Sequence, residues 1–90
     1  MHDVIDNRED HRFELVEQGQ TAFANYEVRG DRLVIPHVEA PVGLRGTGAA
    51  QRLMEGLLLI ARERGMKVQP ICSYAASWMS QHPEFADLRA

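Results

Sequence analysis

The chain has 90 residues, 44% of them hydrophobic and 26% charged, which suits one soluble domain over residues 1–90 with a modest core. A formal charge of −3 excludes nucleic-acid binding driven by overall positive charge, and a single cysteine excludes a disulfide framework or a multi-cysteine zinc site. No apolar run reaches the roughly 20 residues that span a bilayer. The first residues also lack the basic and apolar regions of a secretory signal, so a cytoplasmic protein without a membrane partner is expected.

In chain order, Val4 and Ile5 allow a short leading strand, and Asn7-Arg8-Glu9-Asp10 reads as a turn. Residues 12–17 alternate in part, with Phe13 and Leu15 on one face, and predict a strand. Gln18-Gly19-Gln20 closes a hairpin onto a strand over residues 21–29, with Ala22, Ala24, Tyr26 and Val28 expected on one face. Gly30-Asp31 turns the chain into a third strand over residues 32–40. Pro36 predicts a bulge or an unpaired edge within it, because proline offers no N–H to a ladder. Short glycine-containing turns between successive strands indicate an antiparallel meander.

A helix is predicted from about residue 46 to 64. Ala50, Leu53, Met54, Leu57, Ile60 and Ala61 form its apolar stripe, and Gly65 suits the position just past its end. Residues 67–72 read as a short buried strand, so strand, helix and strand imply a parallel crossover. Ser73 is a candidate cap for a second short helix to about Gln81, which must stop before Pro83. Phe85 and Leu88 are expected to pack back on the core. The histidines are too scattered to suggest a metal site.

The stretch with the most chemical content is Pro41-Val42-Gly43-Leu44-Arg45-Gly46-Thr47-Gly48-Ala49-Ala50. A glycine-rich entry to a helix exposes unpaired N–H groups and the positive end of the helix dipole, which together attract an anion such as phosphate. It is not a P-loop, since no Lys-Ser or Lys-Thr follows the second glycine. It is not the dinucleotide fingerprint either, which needs a third glycine. On local pattern alone, a helix start that merely turns the chain is an equal reading.

Arg45-Gly46-Thr47-Gly48-Ala49 resembles the pyrophosphate loop of the GNAT superfamily of N-acetyltransferases. The likeness extends through His37-Val38-Glu39-Ala40-Pro41, Pro70-Ile71-Cys72-Ser73-Tyr74 and His82-Pro83-Glu84-Phe85-Ala86-Asp87-Leu88, and it is nearest to very short members of that superfamily. The resemblance implies a minimal α+β fold: a mostly antiparallel twisted sheet with one βαβ crossover and a short C-terminal helix. It further implies acetyl-CoA or CoA as ligand and an amine as acetyl acceptor. The implied coenzyme contacts are Leu44, Arg45, Gly46, Thr47, Gly48 and Ala49, with Val38 and Glu39 on one side and Cys72, Ser73 and Tyr74 on the other. The superfamily pattern has Gln or Arg where this chain has Gly43, so one side-chain helper is missing.

Two residues are candidate catalysts. Cys72 would end its strand near the reactive end of the coenzyme, as an acyl acceptor or as a small buried hydrophobe. His37 shares a strand face with Glu39 and could take a proton from an amine or activate Cys72, or be a half-exposed strand histidine. Val34 and Val38, on the other face, would pack under the helix. The chain has no room for the helices that shape the acceptor site in longer relatives, so that pocket is expected to be shallow or completed by a protein partner. A non-catalytic acyl-CoA sensor and a pure interaction module remain alternative readings.

Overall fold

In the computed structural model, which describes residues 2–90, five strands form one sheet in chain order. They are β1 (Ile5–Asn7), β2 (Arg12–Glu17), β3 (Gln20–Arg29), β4 (Arg32–Glu39) and β5 (Lys67–Pro70). β1 to β4 are an antiparallel meander, and β5 joins β4 in parallel. The chain connects these last two strands through α1 (Ala49–Glu63), and α2 (Ser73–Ser80) follows β5. Short 3-10 turns at Val42–Leu44 and Pro83–Leu88 flank the helices. This is the α+β architecture the sequence implies. Among the described residues no helix is long and apolar enough to cross a membrane.

Alternation builds the core from one face of the sheet. Phe13 and Leu15 pair with Ala24 and Ala22, and all four are buried beneath α1. The helix contributes Leu53, Met54, Leu57, Leu58 and Ala61, each fully buried, and a buried leucine of this kind contributes about 1.5–3 kcal/mol. At the end of α1, Gly65 takes a left-handed φ of 66°. Its N–H then bonds Arg62 O at 3.1 Å, and Met66 N–H bonds Ala61 O at 2.9 Å, which satisfies the last carbonyls and stops the helix. Phe85 and Leu88 pack back on the core, and Trp78 joins them stacked on His82.

Pro36 has the effect its missing N–H suggests. Between the pairs Asn25–His37 and Glu27–Val34, β3 spends one residue and β4 spends two, Ile35 and Pro36. This bulge reverses the alternation of β4. Leu33 and Ile35 lie in the core before it and Val38 packs against the core after it, so the expectation that Val34 and Val38 share the helix face is corrected: Val34 lies outside that core cluster. Val28, expected on one face with Ala22, Ala24 and Tyr26, is exposed where those three are buried, because β3 has by then run past Arg12, the first residue of β2, and lost that neighbour.

β4 and β5 pair only as far as Ile35–Pro70. Beyond that point the N–H groups of Ile71 and Cys72 both converge on Ile35 O, at 3.0 and 3.1 Å, and the chain turns into α2. Strand β5 therefore stops two residues short of the predicted Cys72. Ser73 is the first helical residue rather than the cap: Cys72 holds that position, with no side-chain cap hydrogen bond. Residues 36–39 of β4 are left without a strand neighbour on this side, and a gap opens between β4 and α2.

Candidate functional site

The gap and the glycine loop form one cleft. Its upper part, about 400 Å³, is lined by His37, Val38, Glu39, Ala40, Arg45, Ala50 and Tyr74. Its lower part, about 320 Å³, runs along Leu44, Arg45, Gly46, Gly48, Ala49, Ala50 and Gln51. Ala40, Arg45, Ala50 and Tyr74 border both parts, so an extended ligand can pass from one to the other.

The loop does not present all of its expected amides. Two successive turns use up Leu44 N–H on Pro41 O at 2.9 Å, Arg45 N–H on Val42 O at 3.2 Å and Thr47 N–H on Leu44 O at 3.2 Å. Ala49 N–H meets Thr47 Oγ1 at 3.3 Å, and the Thr47 hydroxyl itself donates to Leu44 O at 2.6 Å. The expectation that every amide from Leu44 to Ala49 is open is therefore corrected. Those of Gly46 and Gly48, with Ala50 and Gln51 in the first turn of α1, have no acceptor among the described residues. That helix turn also contains no acidic side chain, so its positive end is not neutralised from within.

Both glycines have the conformation their position requires. Gly46 has φ 80° and Gly48, the N-cap of α1, has φ 87°, values that cost a side chain strain. A Cβ at Gly46 would meet no atom within 4 Å, so the space beside its free N–H is open to a ligand. At Gly43, where the family pattern has a long side chain, a Cβ would lie only 2.4 Å from Gln20 Nε2. The Gln20 carboxamide, reaching in from β3, fills the place that such a side chain would leave from.

Charge in the cleft rests on arginine. Arg45 is exposed and has no acidic partner among the described residues, while Arg52 is held by Glu17 and donates to Thr47 O at 3.1 Å. Hydrogen bonds from Arg52 hold the Glu17 carboxyl below its ordinary range. In the upper part, His37 Nε2 lies 3.0 Å from Glu39 Oε1, both about half exposed. Burial raises the Tyr74 phenol above its usual value, with the nearby Cys72 adding to the effect.

The structure thus gathers His37, Val38, Glu39, Leu44, Arg45, Gly46, Gly48, Ala49 and Tyr74 around one cleft. Thr47, Cys72 and Ser73 are not among the lining residues: Thr47 shapes the loop, Ser73 is exposed at the start of α2, and Cys72 is half-buried against the core. Trp78, on α2, is buried in the core and does not line the cleft. Arg52, Glu17 and Gln20 support the loop, yet sequence reading passes over them, because only the fold brings residues 17 and 20 next to the loop.

Comparison with known proteins agrees with this fold. A family model for GCN5-related N-acetyltransferases matches residues 12–88. The solution NMR structure of a GCN5-like protein from Staphylococcus aureus, itself a candidate N-acetyltransferase, superposes with a TM-score of 0.69 at 20% identity. That alignment covers 100% of this chain and 91% of the other. None of the curated proteins matches the sequence. The chain belongs to the GCN5-related N-acetyltransferase family, whose general chemistry is acetyl transfer.

Proposed function

We propose that the chain binds acetyl-CoA or CoA in this cleft and transfers the acetyl group to an amine. One coincidence carries the reading: main-chain donors at Gly46, Gly48, Ala50 and Gln51 that find no acceptor among the described residues share the cleft with Arg45, a guanidinium that has no carboxylate partner among them. A diphosphate suits that set, since it accepts several hydrogen bonds at once and brings the missing negative charge. The remaining length of the coenzyme fits the upper cleft beside residues 36–39, where β4 has no strand neighbour.

The bound coenzyme supplies an acetyl thioester, whose C–S bond breaks, its pair leaving on sulfur, as the amine nitrogen forms the new C–N bond. His37 takes the proton that the amine must lose. With Glu39 accepting from Nε2–H, Nδ1 is left free to act as the base. Tyr74 stays protonated at neutral pH, which makes it a proton donor on the wall of the cleft.

Transfer through Cys72 is a second reading, favoured by the Cys72 N–H bond to Ile35 O at the point where β4 and β5 part. In it the thiolate takes the acetyl group and then passes it to the amine. Direct transfer is the primary reading, because His37 lines the cleft and Cys72 does not.

A thermal-shift titration with CoA tests the binding half, since a ligand of the folded state raises Tm by mass action. Wild type should rise with concentration, and Arg45→Ala should need roughly ten times more ligand, the loss of one charge-assisted contact. A flat wild-type response up to millimolar CoA rejects the proposal. Mass spectrometry after incubation with acetyl-CoA decides the route: an acetylated Cys72 overturns direct transfer.

A further inference from the structure

A second cavity, of about 480 Å³, lies at the far end of α1, where that helix meets the β1–β2 turn and the end of β3. Asp6, Arg8, His11 and Arg64 supply its polar walls, and Tyr26, Val28 and Met66 the rest. None of these residues lines the cleft. Along α1, at 1.5 Å per residue, the two places stand about 20 Å apart.

The charges lining this cavity do not balance: the guanidiniums of Arg8 and Arg64 stand against the single carboxylate of Asp6. Asp6 is already fully engaged. Its side chain is only 9% exposed, and Oδ1 accepts from the Tyr26 hydroxyl at 2.6 Å. Oδ2 lies 2.9 Å from Arg64 Nη2 and 3.3 Å from Arg8 Nε. One carboxylate offsets one cation, so one positive charge is left over. Each arginine gives Asp6 one nitrogen, and the other N–H groups of the two forks have no acceptor among the described residues. His11, its ring edge-on to Tyr26 with centroids 6.4 Å apart, adds a ring N–H to the walls. The remaining lining is apolar. Val28 follows Tyr26 on the core-side face of β3 and is left 58% exposed, while Met66 packs partly against the core.

We infer that this cavity binds a small organic monocarboxylate with an apolar body, such as an aromatic acid. Its carboxylate takes the free N–H groups of Arg8 and Arg64, a match for the planar guanidinium fork, and its single charge cancels the surplus. Its body covers Val28 and Met66, which inorganic phosphate, with more charge and no apolar part, would leave in water. The inference stands apart from the coenzyme reading, because the two places share no residue.

The test is a thermal-shift titration of the full chain with benzoate at constant ionic strength. Acetate, which has the charge without the body, and benzyl alcohol, which has the body without the charge, run beside it. Benzoate should raise Tm with concentration, acetate should need roughly fivefold more for the same rise, and benzyl alcohol should give none. Arg8 is 75% exposed and makes only the 3.3 Å contact to Asp6, so Arg8→Gln keeps the fold. That variant should need roughly fivefold more benzoate, the size of an exposed charged contact. Amide NMR shifts locate the ligand: those of His11, Val28 and Met66 should move while those of Gly46 and Gly48 stay, and Arg45→Ala should leave the benzoate response as it is. No rise up to tens of millimolar benzoate, an equal rise with benzyl alcohol, an unchanged response in Arg8→Gln, or shifts confined to the loop glycines each overturns the inference. The CoA titration is decided separately, by Arg45 and the loop.

Discussion

Arg52 of α1 holds Glu17 of β2 through two hydrogen bonds of 2.7 Å, and the same guanidinium donates to Thr47 O at 3.1 Å. The pair is 35 residues apart in the chain, and it ties the end of the β2–β3 hairpin to the glycine loop. A loop whose free amides must converge on one ligand gains from such a strut, because the donors are positioned before the ligand arrives.

This strut gives the loop a pH dependence with a defined sign. Hydrogen bonds from Arg52 depress the Glu17 pKa below the ordinary value of 4.5. For a depressed carboxyl, the stabilising effect is present above the unfolded value and is lost as pH falls through the folded value. CoA affinity and Tm should therefore hold level from neutral pH down to about pH 4.5 and fall below it. Glu17→Gln should give the weaker affinity already at pH 7 and remove its part of the acid slope. Calorimetric titration at pH 7 and pH 4 compares the two proteins.

Gly48 and Gly46 separate folding from binding. A side chain at either φ costs about 1–2 kcal/mol. At Gly48 a Cβ would also lie 2.9 Å from Arg52 Nη1, the far end of a flexible side chain that can move only by loosening its hold on Glu17. Gly48→Ala should thus lower unfolding stability by about that amount in urea denaturation. Gly46→Ala should show a similar loss with an additional fall in CoA affinity, since its methyl group would stand in the open space beside a free amide.

The features that local chemistry determines are the ones the sequence shows. Pro36 and Pro70 lack an N–H, and the ladder duly bulges at the first and ends at the second. Gly65 ends α1 because a left-handed residue was needed there. What depends on register is less visible. The shift at the bulge moves Leu33 and Ile35 into the core in place of Val34, a change no alternation pattern in residues 32–39 reveals. The loop amides show the same limit: glycine spacing marks an anion site, but which N–H groups remain open depends on turns that only coordinates display. Arg52 has no visible role until Glu17 is placed beside it.

Gly56 allows the N-terminal segment to lie against α1. An added Cβ there would sit 2.2 Å from Val4 Cγ2 and 2.8 Å from Val4 Cβ, and Val4 is part of the core. Alanine improves intrinsic helix propensity by about 1 kcal/mol, while overpacking of a filled site costs about 1–3 kcal/mol. Gly56→Ala should therefore come out destabilising or neutral, with β1 amides exchanging faster than in wild type. Adding Val4→Ala makes room for the new methyl group. The double variant should then be more stable than the sum of the single effects, as a double-mutant cycle in urea would measure.

Tyr26 links β3 to that same first strand. Its hydroxyl donates to Asp6 Oδ1 at 2.6 Å, and Asp6 also receives Arg64 at 2.9 Å and Arg8 at 3.3 Å. Burial, then the hydrogen bond to Asp6, push the Tyr26 phenol up to about 12 from 10. A group whose folded pKa is raised contributes stability that is complete below its unfolded value and lost as pH rises through the folded one. Tm should accordingly decline between pH 10 and about 12, with phenolate absorbance appearing over the upper part of that range. Tyr26→Phe removes one hydrogen bond to a charged acceptor and should cost about 1.5–3 kcal/mol at neutral pH. It should also lessen the alkaline decline, leaving the part that the raised Tyr74 phenol contributes, and a decline that persisted unchanged in the Phe variant would show that Tyr26 is not the group responsible.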